Sequence, residues 1–388
     1  MTRDRLARIS AWCIALYAFD VLKPVVEIFG LPLPSSVASV PLSVVFIVGA
    51  LGILVPLAKL QRISIFGSAE VALIWIMVFW SGLEIIETSG TLNSDFNMIL
   101  GLMPLLLTLM ASRLHLQLFG DGSILVAATV LSAMLLVLAH TVLLLIVSTG
   151  IQPKFIVTGE LMGRNGLASL GPVCLWILAW FPLKNWTPFG HRYNLLVLLA
   201  VTNVLLSAAR MALAELIWCV LMGAILYRPR IRRLLRAFLI PACFVLILAV
   251  SFSFPIVRAF NEAGVWGVGN DTVSVFSRSH TNYLLLDKFM QNPLLGIGWK
   301  EVVATKVYGY MGHSLYVNVI AAYGAVAALA VICALSFGLL RAKGVNREAA
   351  VHLLFFAILT FGFVNAVFAY FGVMVALIGA SKVTDTYN

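Results

Sequence analysis

Four side chains stand where an apolar chain meets water and could do chemistry there: Arg164, Arg210, Arg278 and His313. Arg164 lies in Gly163-Arg164-Asn165-Gly166, at the start of an apolar run, and Arg210 interrupts the apolar stretch 193–227. Arg278 belongs to Ser277-Arg278-Ser279-His280, and His313, in Gly312-His313-Ser314, directly precedes another apolar run. A guanidinium is a planar, permanently charged fork of donors that suits phosphate oxygens, and several together suit a diphosphate. An imidazole takes up a proton near neutral pH. At a helix N-terminus the dipole disfavours the imidazolium, leaving the neutral form that a base needs. The chemistry implied is recognition of an anionic, lipid-borne substrate at a membrane face, with a histidine beside it. Each residue also has an ordinary reading. Arg164 can be a snorkelling interfacial residue, Arg210 a helix-end anchor, Arg278 an exposed loop arginine and His313 a helix cap.

The elements that must position these groups follow from composition. The chain has 388 residues, of which 62% are hydrophobic and 11% charged, against roughly 25% charged in soluble domains. That polarity deficit, spread over the whole length, predicts an all-α polytopic membrane protein forming one integral membrane domain, 1–388. Continuous apolar runs of ~20 residues point to helices; barrel strands would alternate over ~10. Apolar runs fall at about 9–29, 37–58, 66–87, 97–112, 123–148, 165–182, 194–208, 211–227, 234–255, 311–340 and 349–380. The last run is too long for one crossing and carries Asn365 near its middle, so it reads as two short helices. The expected total is about 12 transmembrane helices, or eleven if that run is single.

Orientation follows from Lys and Arg. The N-terminal arginines, Lys59 and Arg62, Arg113, Lys184 and Arg192, the cluster at 228–236, and Arg341, Lys343 and Arg347 fall in alternate loops and mark the cytoplasmic side. The large loop 256–310 then faces outward, to the periplasm of a Gram-negative inner membrane. Within it a short helix is expected from Arg278 to Gln291, stopped by Pro293, with Leu284, Leu285, Leu286, Phe289 and Met290 on the membrane surface. A charge at the bilayer centre costs roughly 3 kcal/mol or more, so Arg210 is expected at an outward turn between two helices. The first arginines followed by an apolar run could start a signal peptide, but the run is long and lacks a cleavage site, so it reads as a first membrane helix.

The formal charge of +10 has no aromatic-studded basic groove beside it, which argues against nucleic acid. Cys13, Cys174, Cys219, Cys243 and Cys333 lie in apolar runs without CxxC spacing, and no His/Asp/Glu spacing implies a metal. His280, His115, His140, His191 and His352 read as structural, with His140 able to bond a neighbouring helix. Asp20 and Lys23 can pair locally, and Glu84 and Glu87 read as interfacial. Glu160, Glu262, Asp271 and Asp287 are outer carboxylates that nothing singles out. There is no P-loop, no G-x-S-x-G and no internal repeat.

Two stretches carry a resemblance. His313-Ser314 is followed by nine residues, 315–323, and then Gly324-Ala325-Val326-Ala327. Upstream stands Asn292-Pro293-Leu294-Leu295-Gly296-Ile297-Gly298-Trp299. Together these resemble the bacterial O-antigen ligase and polymerase superfamily, whose motif is His, then Asn, Ser or Gln, nine residues, and Gly-x-x-(Gly/Thr/Tyr). Ala327 departs in the last place and is still small. Arg278 matches the family's loop arginine. Ser207 to Arg210 resembles its Ser-x-Arg turn with one residue more, and Gly163-Arg164-Asn165 resembles its weaker Asn-containing helix start. The similarity spans about 160–327; the N-terminal third matches in hydropathy alone.

The resemblance implies a fold like that of other multi-helix lipid-dependent (GT-C-like) glycosyltransferases, acting without cofactor, metal or nucleotide sugar. The donor is a glycan on undecaprenyl diphosphate and the acceptor is lipid A-core, or, in a polymerase, another lipid-linked glycan. Arg210 and Arg278 hold the diphosphate, with Arg164 near, and His313 deprotonates or orients the acceptor hydroxyl. A glycolipid transporter is the rival from a different class. It needs charges deep in several crossings, whereas here the charges collect at helix ends.

Overall fold

The computed structural model describes residues 2–22, 43–68, 70–75, 77–78, 96–148, 169–180, 189, 192–207, 210–226, 270–307, 314–340, 345–363 and 369–379. These form α1 (Arg3–Ala18), α2 (Val44–Leu60), α3 (Phe96–Phe119), α4 (Ser123–Ser148), α5 (Leu170–Trp180), α6 (Tyr193–Ser207), α7 (Arg210–Leu226), α8 (Asn270–Gln291), α9 (Trp299–Ala304), α10 (Leu315–Leu340), α11 (Val345–Phe363) and α12 (Tyr370–Gly379). No strand occurs among the described residues. Within α3 and α4, the segments Leu102–Phe119 and Ser123–Val142 are long and apolar enough to cross a bilayer. The run 234–255, expected to be helical, lies outside the described residues.

Several helices differ from the sequence expectation, each for a physical reason. α1 begins at Arg3, taking the N-terminal arginines into its first turns, and ends at Ala18, where Asp20 adopts φ 44°. The Asp20 carboxylate accepts the Ser43 N–H at 3.0 Å, tying the end of α1 to the start of α2. α3 runs on past 112 to Phe119, because Arg113 is satisfied inside the helix packing. Its guanidinium donates to Glu70 Oε1 (2.6 Å), Gln117 Oε1 (2.8 Å) and the Ile65 carbonyl (2.5 Å). The last apolar run does divide, α11 ending at Phe363 and α12 starting at Tyr370.

Small residues let backbones approach: Ala11, Ala15 and Ala18 of α1 are buried in one core with Ala50, Leu54 and Ala58 of α2. Thr108 of α3 lies 2.7 Å from the Ala369 carbonyl at the start of α12. Polar side chains lie inside and join helices. Ser10 of α1 meets His115 Nδ1 of α3 at 3.0 Å, and Asn203 of α6 meets His140 Nδ1 (3.1 Å) and Thr141 Oγ1 (2.9 Å) of α4. Large apolar side chains face out, among them Leu195, Leu198 and Leu205 of α6 and Ile217 and Val220 of α7.

Among the described residues three hydrophobic clusters hold the helices, a small one being Val204 of α6 with Ala212 and Leu216 of α7. The main one gathers α1 to α7 with α11 and α12. A second joins Leu285 of α8, Val302 of α9, and Val317, Ala321, Ala322 and Tyr323 of α10.

Candidate functional site

The second cluster carries the residues of the two motifs. α8 begins at Asn270, so Arg278 lies within a helix of 22 residues rather than opening a short one. Residues 270–277, Asn-Asp-Thr-Val-Ser-Val-Phe-Ser, are rich in β-branched and hydroxyl side chains of poor helix propensity and form no apolar run. They are nonetheless helical, in a helix that packs on α10. Pro293 follows the helix end at Gln291, as its lack of an N–H and its ring demand.

Arg278 is half-buried in a polar stretch of α8: Ser277, Ser279, Thr281 and Asn282 around it are buried. Thr281 Oγ1 donates to the Ser277 carbonyl at 2.8 Å, and Asn282 Oδ1 has no hydrogen-bond partner among the described residues. Below this stretch the helix turns apolar. Leu285 is in the core and Leu286 and Phe289 pack on it, so these three face protein and not the membrane surface. Met290 is 71% exposed and Leu294 64%. Lys288 of α8 pairs with Glu301 of α9 and donates to Thr305 Oγ1 at 3.0 Å, closing α9 onto α8.

The stretch 293–298 and helix α10 are one hydrogen-bonded unit. α10 is broken at Gly324, whose φ of 72° and ψ of 176° are not helical. In an unbroken helix the Ala325 N–H would bond the Ala321 carbonyl. Here it donates to the Pro293 carbonyl at 2.9 Å. The carbonyls so released are taken up by the same strap: Ile297 N–H reaches Ala321 O at 2.8 Å and Gly298 N–H reaches Ala322 O at 2.9 Å. The Ala325 N–H and the Ala321 and Ala322 carbonyls thus each have a partner across the break, as burial requires. Two glycines make it possible. A Cβ on Gly296 (φ 79°) would lie 2.5 Å from the Ala322 carbonyl, and one on Gly324 would overlap the Leu294 carbonyl.

Helix directions locate the other candidates. Arg3 donates to the Leu118 carbonyl (2.5 Å) and Arg113 to Ile65 O, so Arg3, Lys59, Arg62 and Arg113 share one end of the bundle. α4 starts from that end at Ser123, capped by the Asp121 carboxylate at 2.8 Å. Asn203 lies beside Val137 of α4, Val204 beside Gly171 of α5, and Cys174 beside Val130, so α5 runs against α4. α7 follows α5, with Cys219 at Pro172 and Met222 at Trp180. α11 runs against α7, with Thr360 at Glu215 and His352 at Trp218.

The backbone of Arg210 therefore opens α7 at the end opposite Arg3, immediately after α6 stops at Ser207. α6 and α7 pack side by side through Val204, Ala212 and Leu216, two helices where the sequence also requires two. α10 and α11, joined through 341–344, form a hairpin. The Gly324 break lies about 22 Å up that hairpin at 1.5 Å per residue, toward the Arg210 end. Arg278 lies on α8, which packs on α10, while the backbone of Arg210 opens α7, which packs on α11 and through it on α10. Arg164 and His313 lie outside the described residues; Ser314, next to His313, is buried.

Glu215 is the residue that sequence reasoning misses. It is fully buried mid-helix in α7, with Thr360 Oγ1 of α11 at 2.6 Å from Oε1. Elsewhere between α5, α7 and α11, Trp180, His352 and Trp218 pack on one another, Trp218 to His352 at 5.2 Å between ring centres. A usable signal exists, since a lone acid inside an apolar run must find a partner. Among the described residues no group of three or more His, Cys, Asp or Glu side chains could hold a metal. Compared with protein-family models, with curated proteins and with solved structures, the chain gives no match.

Proposed function

We propose that this protein is a membrane glycosyltransferase of the O-antigen ligase type. It moves a glycan from undecaprenyl diphosphate to lipid A-core, or a related acceptor, at the periplasmic face of the inner membrane. About twelve crossings in a GT-C-like arrangement form the scaffold. In this reading Arg278, Arg210 and Arg164 neutralise the diphosphate, whose charge grows as the glycosidic bond breaks. His313 takes the proton of the acceptor hydroxyl as that oxygen attacks the anomeric carbon.

The observation that carries the reading is the interlock of the two motif stretches. The Pro-Leu-Leu-Gly-Ile-Gly strap supplies the hydrogen bonds that the Gly324 break removes from α10. The helix carrying Arg278 leads directly into that strap. Stretches matched separately, by residue type and spacing, thus serve one physical unit, and a half-buried guanidinium stands in the polar part of the same helix pair.

A strain lacking the gene tests the acceptor. For a ligase, long glycan chains on lipid A-core disappear, and His313→Ala or Arg278→Ala fails to restore them. A lipid A-core capped by a single repeat unit instead marks the polymerase, which uses the same donor. Restoration of long chains by both variants rejects the assigned site.

A further inference from the structure

We infer that the strap 293–298 and the Gly324 break form a fixed joint that orients the first segment of α10, 315–323, against Arg278 on α8, making Gly296, Gly324 and the Ala325 N–H positioning elements of the transfer site. The inference rests on the transferase reading above. Its physical basis is independent of that reading.

A single break in a helix is normally a soft point, because it frees carbonyls and N–H groups that water or a changing partner then takes. Here three backbone bonds close across the break within 2.8–2.9 Å, two entering the first segment at Ala321 and Ala322 and one leaving the second at Ala325. The strap therefore grips α10 on both sides of Gly324, and the bend angle is set by backbone bonds rather than by side-chain packing. The strap is held at its other end too. It leaves α8 at Gln291 and enters α9 at Trp299, and α8 and α9 are clamped by Lys288 with Glu301 and Thr305. Leu285, Val302, Val317 and Ala321 fill the space between.

The unit is thus a closed triangle of α8, α9 and the first segment of α10, with Arg278 on one side and Ser314 at the tip of another. The first segment of α10 begins directly after Ser314, and the joint fixes its tilt. A rigid mount of this kind acts on the orientation of reacting groups and leaves binding of the lipid alone, because the apolar contacts with a lipid chain do not depend on one bend angle.

Ala325→Pro tests this with little cost to the fold. Residue 325 is the first of the second helical segment, where proline is tolerated, and Gly324 already has the extended ψ that precedes a proline. The substitution deletes the bond to Pro293. Two readouts are made on the full protein in proteoliposomes: amide hydrogen exchange at Ile297, Gly298 and Ala325, and transfer kinetics with a polyprenyl-diphosphate glycan. Slow exchange in the wild type, faster exchange at Ile297 and Gly298 in the variant, and a kcat lowered about 100-fold at unchanged KM are expected. Wild-type amides at these three positions that exchange like exposed ones overturn the joint, whether or not the variant folds. A folded Ala325→Pro with full kcat, in an active wild type, overturns the positioning role and leaves the transferase reading standing. A wild type that transfers to no acceptor removes the transferase reading and the positioning role with it.

Discussion

At the scale of single residues, the charged side chains divide into those with a complete set of partners and those at helix starts. Arg113 belongs to the first kind. Its three nitrogens reach Glu70, Gln117 and the Ser64 and Ile65 carbonyls, and the Glu70 side chain is 2% exposed. Removing one partner of such a pair strands the other charge, which costs about 3 kcal/mol or more. Arg113→Ala is therefore expected to lower the melting temperature of the solubilised protein sharply. Arg113→Lys recovers little, since one ammonium cannot span four acceptors in a plane. A melting temperature unchanged in Arg113→Ala would contradict this. From sequence alone Arg113 reads as a topological charge, because its partner Glu70 is 43 residues away and no local pattern links them. His140 is more legible. A polar ring mid-helix must bond a neighbour, and Asn203 supplies the bond.

At the scale of elements, apolar runs set most helices, and local chemistry sets their ends where it is strong. Asn365 lies between α11 and α12 and Pro293 follows α8, both readable from residue type. The start of α8 is not readable, because its first two turns consist of residues that favour other conformations. Nor is the break in α10, since the groups that compensate it come from a strap some thirty residues upstream. Its consequence is testable. Gly324→Ala places a side chain at φ 72°, which costs about 1–2 kcal/mol in that region, and also drives a methyl into the Leu294 carbonyl. A loss of stability clearly above about 2 kcal/mol is expected in denaturant unfolding, against near-neutrality for Leu295→Ala on the exposed side of the strap. Equal stability of Gly324→Ala and the wild type would mean that the helix runs straight.

At the scale of the whole molecule, Glu215, Asn203, His115 and Thr360 are buried among the described residues, while Leu195, Leu198 and Val220 are exposed. The cations Arg3, Lys59, Arg62 and Arg113 gather at one end, and Arg210, the Gly324 break and its strap lie toward the other. Composition and charge spacing make the clustering of Arg3, Lys59, Arg62 and Arg113 legible. They do not make legible how Arg210 and Arg278 are joined, which depends on the order in which α7, α11, α10 and α8 pack. The central claim is that a guanidinium on α8 and the histidine before α10 transfer a glycan from a lipid diphosphate. It is tested most directly by reconstituting the purified protein with undecaprenyl-diphosphate-linked glycan and lipid A-core and measuring release of undecaprenyl diphosphate. Acceptor-dependent release by the wild type and a fall of about 100-fold or more in Arg278→Ala and His313→Ala are expected; release at the wild-type rate in both variants would contradict the proposed chemistry.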